Sequence, residues 1–443
     1  MKYSSKFNIK DVIYILLWSA ISYLALVIRG YTHLHILISS ITMLWIFSAV
    51  VIFYAKSDNY FSDKLKNFAY TIIALTYIGF ALQCFSIENE KYIRNLLLTA
   101  LLLTSIGISI YSYLRNKLNY QLVAKLSGVI YVLLFTFLVA LKFIEGQIWN
   151  SQFSQTVLLI PVLYIITIAA SCAAQVNESS LFKRSMVLLL VAGIALIILN
   201  ELGVLMIIVG LHFIVTWLFM PKKYTIKNLI VLFIAITILL LLFVTLNILD
   251  VHISIVEKLK TRLTIPVDFI FKDINEIANS DKAFNEAFQI IQGRKSIAEG
   301  GLFGSASEVE LVVRESDMAF QYLVSKYGAV GGVVVVALFI ALASYANILF
   351  CFENIFEKIS SVLFLYAILV QSFITILGSS GLLPFSGLPI GFLSMSKSYF
   401  VLAVFELAFI IYSSKKYGCE VAPEKKVLMP VRRSHKTEMG EVL

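Results

Sequence analysis

Residues 287–332 read AFQIIQGRKSIAEGGLFGSASEVELVVRESDMAFQYLVSKYGAVGG, and the reading of this stretch organises the rest of the chain. It is the polar end of one long hydrophilic loop in a chain otherwise made of apolar runs. It holds Gln289 and Gln292, the cations Arg294, Lys295 and Arg314, the Gly300–Gly301 turn and the carboxylate Asp317. Asp317 stands where the loop returns to apolar sequence. An ionisable group at a membrane boundary, beside glycines and cations, suits a charged lipid headgroup. Ser316 and Asp317 also suit the cap of the helix that follows. On residue types alone, capping is the commoner use of such an aspartate.

Composition sets the class. Hydrophobic residues make up 59% of the chain and charged residues 14%, with a mean hydropathy of +0.88. Soluble domains carry about 25% charged residues, so this is an integral membrane protein. The net charge of +9 is that of cytoplasmic loops and tail, and it implies no nucleic-acid partner. Cys84, Cys172, Cys351 and Cys419 have no paired spacing, which argues against disulfides and a thiolate metal site. Lys2, Lys6 and Lys10 lead into the first apolar run with no distinct cleavage site, so that run is expected to stay as an anchor.

Read in order, the apolar runs make an all-α bundle of about twelve spans, each of the ~20 residues that cross a bilayer. They lie near 11–29, 35–55, 67–86, 94–113, 122–144, 153–175, 185–199, 201–220, 226–248, 319–351, 357–379 and 397–414. Orientation follows from the loops. Lys56, Lys64, Lys66, Arg115, Lys117, Lys183, Arg184, Lys222, Lys223 and Lys227 fall on one side, against Arg29, Lys91, Arg94 and Lys142 on the other. The first set is expected to be cytoplasmic, with both termini. The loop from about 250 to 318 then lies outside the cell. The basic tail, 415–443, is expected to be disordered and to lie on anionic headgroups.

Polar residues interrupt several spans. Trp149 precedes Gln152, Ser154 and Gln155 at the outer start of the sixth; a tryptophan there is ordinarily an interface residue. Glu201-Leu202-Gly203 breaks the seventh span from the eighth, and the glutamate is either solvated or functional. His212 reads as a satisfied core histidine, and His33 and His35 are too isolated to suggest a metal. Glu406 is expected to face the bundle interior. The run Gly381-Leu-Leu-Pro384-Phe-Ser-Gly387-Leu-Pro389-Ile-Gly391 survives at membrane depth only when buried in protein or lining a cavity, which suggests a re-entrant loop.

These blocks carry a resemblance. Phe288, Gln289, Gln292, Ile297, Gly300, Gly301, Leu302 and Gly304 follow, without a gap, the pattern GYxxxQSxxAIxxGGLxGxG of the SEDS family (shape, elongation, division and sporulation: RodA, FtsW and SpoVE). Leu311, Arg314, Asp317, Phe320, Gly328 and Gly331 fall in register with its LPExHTDFIFAxxxEELGxxG block. Gly381–Pro384, Gly387, Pro389 and Ser394 resemble its GLLPxxGxPLPxxSYGGSS block. Trp149, Gln152 and Ser154 resemble its RW and QPSE elements, and Glu201-Leu202-Gly203 its DLG element. Departures fall at Gln155, Glu201, Glu315-Ser316, Ser325-Lys326-Tyr327 and Ser394–Tyr399, while the aspartate the family uses for chemistry is kept as Asp317.

The resemblance implies a SEDS-like ten-span core over roughly 67–414, preceded by an extra transmembrane pair in 1–66. It implies a peptidoglycan glycosyltransferase of the bacterial cytoplasmic membrane, joining lipid II disaccharides at the outer face and releasing undecaprenyl diphosphate in elongation, division or sporulation. Asp317 is then the catalytic residue. Arg294, Lys295, Arg314, Gln289, Gln292, Trp149 and Glu201 are candidates for holding diphosphate or sugar. A divalent cation, Mg or Mn, is a candidate cofactor, with Asp317 as its ligand. The implied partners are the polyprenyl-linked glycan and a class B penicillin-binding protein, a transpeptidase. Lys326 and Lys397 motivate the alternative of an inactive scaffold or regulator of a cell-wall complex; a lipid-linked precursor flippase is a third reading.

Overall fold

The computed structural model describes residues 9–28, 34–55, 62–83, 90–145, 154–248, 262, 264–266, 268, 286–305, 311, 314, 316–394 and 396–415. Among them the regular structure is helical. In chain order the helices are α1 (Ile9–Ile28), α2 (Leu34–Ala55), α3 (Ser62–Gln83), α4 (Glu90–Leu114), α5 (Tyr120–Glu145), α6 (Leu159–Ala173) and α7 (Glu178–Leu199). They continue with α8 (Leu202–Phe219), α9 (Lys222–Ile248), α10 (Glu286–Gly300), α11 (Ala319–Ser344), α12 (Ile355–Ser379) and α13 (Lys397–Lys415). Ten stretches among the described residues are long and apolar enough to cross a membrane. Each expected span falls on a helix, and α10 is an addition, since its residues read as loop. Trp149, Gln152, Cys84, Cys419, most of 249–285 and the tail beyond 415 lie outside the described residues.

The layering follows from which faces are apolar and which are small. α12 and α3 are buried over most of their length, whereas α1, α4, α5 and α11 turn apolar faces such as Leu16, Leu102, Leu133 and Val333 outward. That pattern, hydrophobic on both sides, is the one a bilayer selects. α12 packs against α6, α8, α11 and α13, and so forms the axis of the bundle. The side chain of Asn354 caps its start, accepting from the backbone N–H of Phe356 at 2.9 Å and of Glu357 at 3.3 Å. Asn200, in the left-handed region with φ 63°, ends α7, and the Glu201 N–H returns to Leu196 O at 2.8 Å. This turn is the break read between the nearly fused seventh and eighth spans.

Lipid removes the hydrophobic driving force between helices, which are held together by close packing and interhelical hydrogen bonds. α1 is joined to α3 by them: Tyr14 Oη donates to Tyr70 O at 2.9 Å, and Ser19 Oγ donates to Tyr77 Oη at 3.2 Å. Tyr70 also donates to the buried Asp11 carboxylate. Around α12's first turn, the Arg115 guanidinium makes a two-pronged ion pair with Glu357, both groups buried, and Tyr111 Oη donates to Glu357 Oε1 at 2.8 Å. His212 sits inside the bundle with Nδ1 3.0 Å from Tyr164 Oη.

α11 is not one continuous helix. Gly328 has φ 72° and ψ −176°, which interrupts the ladder. The loop after α10 fills the gap: Gly301 O accepts from the Ala329 N–H at 2.9 Å, and Leu302 O from the Val330 N–H at 3.3 Å. In return Ser325 O accepts from the Ser305 N–H at 2.9 Å. Backbone groups freed by the break are thereby paired, as burial requires.

Candidate functional site

The site is built at the end of the bundle where α12 stops. There the chain folds back through residues 381–394, and much of this segment is buried, with Ile390, Phe392, Leu393 and Ser394 all at 0% exposure. Glycines on three helices admit it. A Cβ on Gly203 of α8 would stand 2.6 Å from Ser386 O, and one on Gly378 of α12 would stand 2.9 Å from Pro384 O. One on Gly79 of α3 would meet Leu393 O at 2.8 Å. Gln371 Nε2 donates to Pro389 O at 2.9 Å, which supplies a partner to a carbonyl in the interior. The expectation of irregular backbone buried in protein describes this run.

Asp317 lies in the turn just before α11, against that segment. Its carboxylate accepts a hydrogen bond from the Ser316 hydroxyl, and a Cβ on Gly387 would come within 3.7 Å of Oδ2. Gly387 itself has φ 61°. Ser394 Oγ donates to Ser316 O at 2.8 Å and accepts from the Ile390 N–H at 2.9 Å, so the folded-back segment fixes the Asp317 turn directly. The helix cap is Met318, with no side-chain capping bond. The capping role that residue type alone favours is therefore not made. Burial raises the Asp317 pKa above the ordinary aspartate value, and the Ser316 hydrogen bond opposes this in part.

The cations divide. Arg294 on α10 donates from Nε to Ser380 O at 3.0 Å, at the C-terminal end of α12, where a positive charge is favourable. Burial lowers its pKa, though a guanidinium remains protonated. Arg314, three residues before Asp317, places its guanidinium carbon 5.6 Å from the centre of the Tyr322 ring, and its carbonyl accepts from Gln83 Nε2 at 3.3 Å. Lys326 Nζ lies 5.9 Å from the same ring. Lys295 is exposed on α10, and Gln289 and Gln292 are half-buried on the same helix. Glu201 is 4% exposed at the start of α8, two residues from the glycine that packs on Ser386; it is not a solvated junction residue. Trp149 lies outside the described residues.

Two uncharged residues that sequence reading did not single out belong to this end. Gln83 closes α3 against the Arg314 carbonyl. Gln321, fully buried one turn after Asp317, donates from Nε2 to Ser379 Oγ on α12. Among the described residues no three His, Cys, Asp or Glu side chains converge to hold a metal. An apolar crevice of about 70 Å³ lies elsewhere, between α2, α4 and α13, lined by Val51, Thr104, Leu407 and Tyr412.

With this geometry in place, comparison decides the lineage. The family model for FtsW, RodA and SpoVE, described as "Cell cycle protein", matches residues 28–417. The chain belongs to the SEDS family. The match to this SEDS model begins ahead of α2 and so takes in more than the 67–414 core. No curated protein matches the chain significantly. A chain of the solved structure "Structural coordination of polymerization and crosslinking by a peptidoglycan synthase complex" is similar in fold, with a TM-score of 0.57 and 16% identity. The alignment covers 79% of the present SEDS chain and 97% of that one. At this identity the likeness speaks for the fold alone, and residue roles must come from the site itself.

Proposed function

We propose that this SEDS protein is a peptidoglycan glycosyltransferase that polymerises lipid II at the outer face of the bacterial cytoplasmic membrane. The observation that carries the reading is Asp317: a partly buried carboxylate, unused for capping, held by Ser316 and Ser394 against the folded-back segment, with Arg314 and Arg294 on the same end. Family membership supplies the cell-wall context.

In the proposed reaction the acceptor sugar hydroxyl attacks the anomeric carbon of the donor. A C–O bond forms there as the bond to the diphosphate breaks, and the hydroxyl proton passes to Asp317. A positioned carboxylate base contributes about 10²–10⁴ in rate, and most when its pKa approaches the working pH. Burial moves Asp317 in that direction. Arg314, Arg294 and Lys295 are assigned to the charge that grows on the departing undecaprenyl diphosphate. The donor set fits a divalent cation only as one carboxylate completed by phosphate oxygens and water, an arrangement magnesium accepts. Bound there, magnesium or manganese would supply further neutralisation of the diphosphate. Gln289, Gln292, Glu201 and Trp149 are assigned to sugar or diphosphate contacts, and a class B penicillin-binding protein is the proposed partner.

The test is polymerisation of lipid II by the purified full chain, alone and with such a transpeptidase. Glycan strands made by the parent and lost in Asp317→Asn support the reading. A parent that is folded but inactive with every partner overturns it and moves the scaffold reading to first place.

A further inference from the structure

Gln321 is the residue through which the helix behind Asp317 is fastened to the rest of the site. It lies at the crossing of α10, α11 and α12. Its side chain is fully buried, and Nε2 donates to Ser379 Oγ and reaches Ser380 Oγ at 3.5 Å. The backbone carbonyl of the same Ser380 holds Arg294. The Gln321 carbonyl accepts from Ser296 Oγ at 3.3 Å, and a Cβ on Gly293 would meet Gln321 Cγ at 3.1 Å. Ser296 and Gly293 flank Arg294 on α10. One residue therefore joins the first turn after the carboxylate to α12 through its side-chain amide and to α10, which carries the guanidinium, through its backbone carbonyl.

Among the described residues Gln321 Oε1 is buried with no hydrogen-bond partner. A buried acceptor left without a partner is costly, and an apolar side chain of equal volume would fill this crossing at less cost. The directed bond from Nε2 to Ser379 Oγ, with Ser380 Oγ at 3.5 Å, ties α11 to α12 at a fixed orientation, which an apolar side chain of the same bulk would not do.

We propose that Gln321 is a positioning residue of the Asp317 site, setting the separation of the Asp317 carboxylate from the Arg294 guanidinium by locking the first turn of α11 to Ser379 and Ser380. This rests on the reading of Asp317 as the base. Loss of the lock leaves lipid-linked substrate bound but spoils the alignment reached in the transition state, so kcat falls and KM stays.

The experiment compares Gln321→Met, Gln321→Glu and Ser379→Ala with the parent in the lipid II polymerisation assay, with the full chain and its partner, alongside thermal unfolding in detergent. Gln321→Met keeps the bulk and removes the bond; its kcat should fall at least about 10-fold with KM within about 2-fold and the melting temperature at or above the parent's. Ser379→Ala removes the acceptor from the other side and should give the same split. Gln321→Glu adds a negative charge one turn from Asp317 and should move the acid limb of the rate–pH profile upward by about one unit. A role in packing alone would not separate kcat from KM; the acid limb of Gln321→Glu reports only that Asp317 is the ionising group. Parental kcat in Gln321→Met and Ser379→Ala, while Asp317→Asn is dead, overturns this proposal alone. Activity that survives Asp317→Asn, or a parent without activity, overturns it together with the reading of the site.

Discussion

Replacing Asp317 by Asn separates chemistry from architecture more cleanly than any other single change, because the structure predicts opposite signs for the two. The Asn Oδ1 can still accept from Ser316, and no capping bond is lost because none is made. Any difference in that hydrogen bond is worth at most about 0.5–1.5 kcal/mol. Against this stands the charge. Burial raises the folded-state pKa of Asp317, so the folded protein binds this proton more tightly than the unfolded chain. Stability from this group therefore falls as pH rises from the unfolded aspartate value through the raised folded one, and above that window the ionised side chain is a net cost. A neutral Asn removes the cost, so at neutral pH the melting temperature of Asp317→Asn should equal or exceed the parent's. Polymerisation of lipid II should nevertheless fall by about 10²–10⁴. The parent's rate should show an acid limb above the ordinary aspartate range, since only the deprotonated group accepts a proton. Both arms use one preparation: glycan length on gels, and unfolding in detergent. A variant that melts well below the parent while polymerising at the parental rate would refute the argument on both counts.

Gly203→Ala and Gly79→Ala should each destabilise by about 1–3 kcal/mol, because the added methyl meets backbone carbonyls that cannot turn aside; unfolding in detergent measures this, and an unchanged melting temperature would mean the buried segment is not seated as described. At the opposite end of α12, Arg115→Met should cost about 3–5 kcal/mol by stranding Glu357. Adding Glu357→Leu should recover most of that loss, and a double variant no better than the single would show that the pair is not coupled. A cysteine replacing the exposed Lys295, in a background without other reactive thiols, should react with an impermeant maleimide in intact cells while Cys419 does not; the reverse pattern would turn the whole site inward.

The spans were legible because a lipid-crossing helix must satisfy its own backbone, and long uncharged runs such as Leu202–Phe219 have no other economical use. The break at Asn200 was legible for a local reason, a residue tolerant of left-handed backbone between two such runs. α10 was not: its composition is that of a loop, and what makes it helical in place is tertiary, the seating of Gly293 on Met318 and the bond from Arg294 to Ser380. Arg115 was read as one more loop cation. Its carboxylate lies 242 residues away, and no local pattern connects the two. Asp317 stood out through charge and register with a family pattern, and Arg294 through charge. Gln321 carries neither, and the only hint was its place one turn beyond Asp317, where a side chain shares that helical face.

The interruption at Gly328 changes which body Asp317 moves with. The break parts Ala319–Tyr327 from the rest of α11, and the Gly301–Ser305 loop, which continues from α10, is bonded on both sides of it: to Ser325 O before Gly328 and to the Ala329 and Val330 N–H groups after it. Mechanically, the short piece that follows the carboxylate and the long remainder of α11 are two struts clasped by one loop of α10. A load applied to α10 from outside the bundle would be delivered to Asp317 and Arg294 together. A load applied to the long strut would reach them through Gly328 itself and through the same loop.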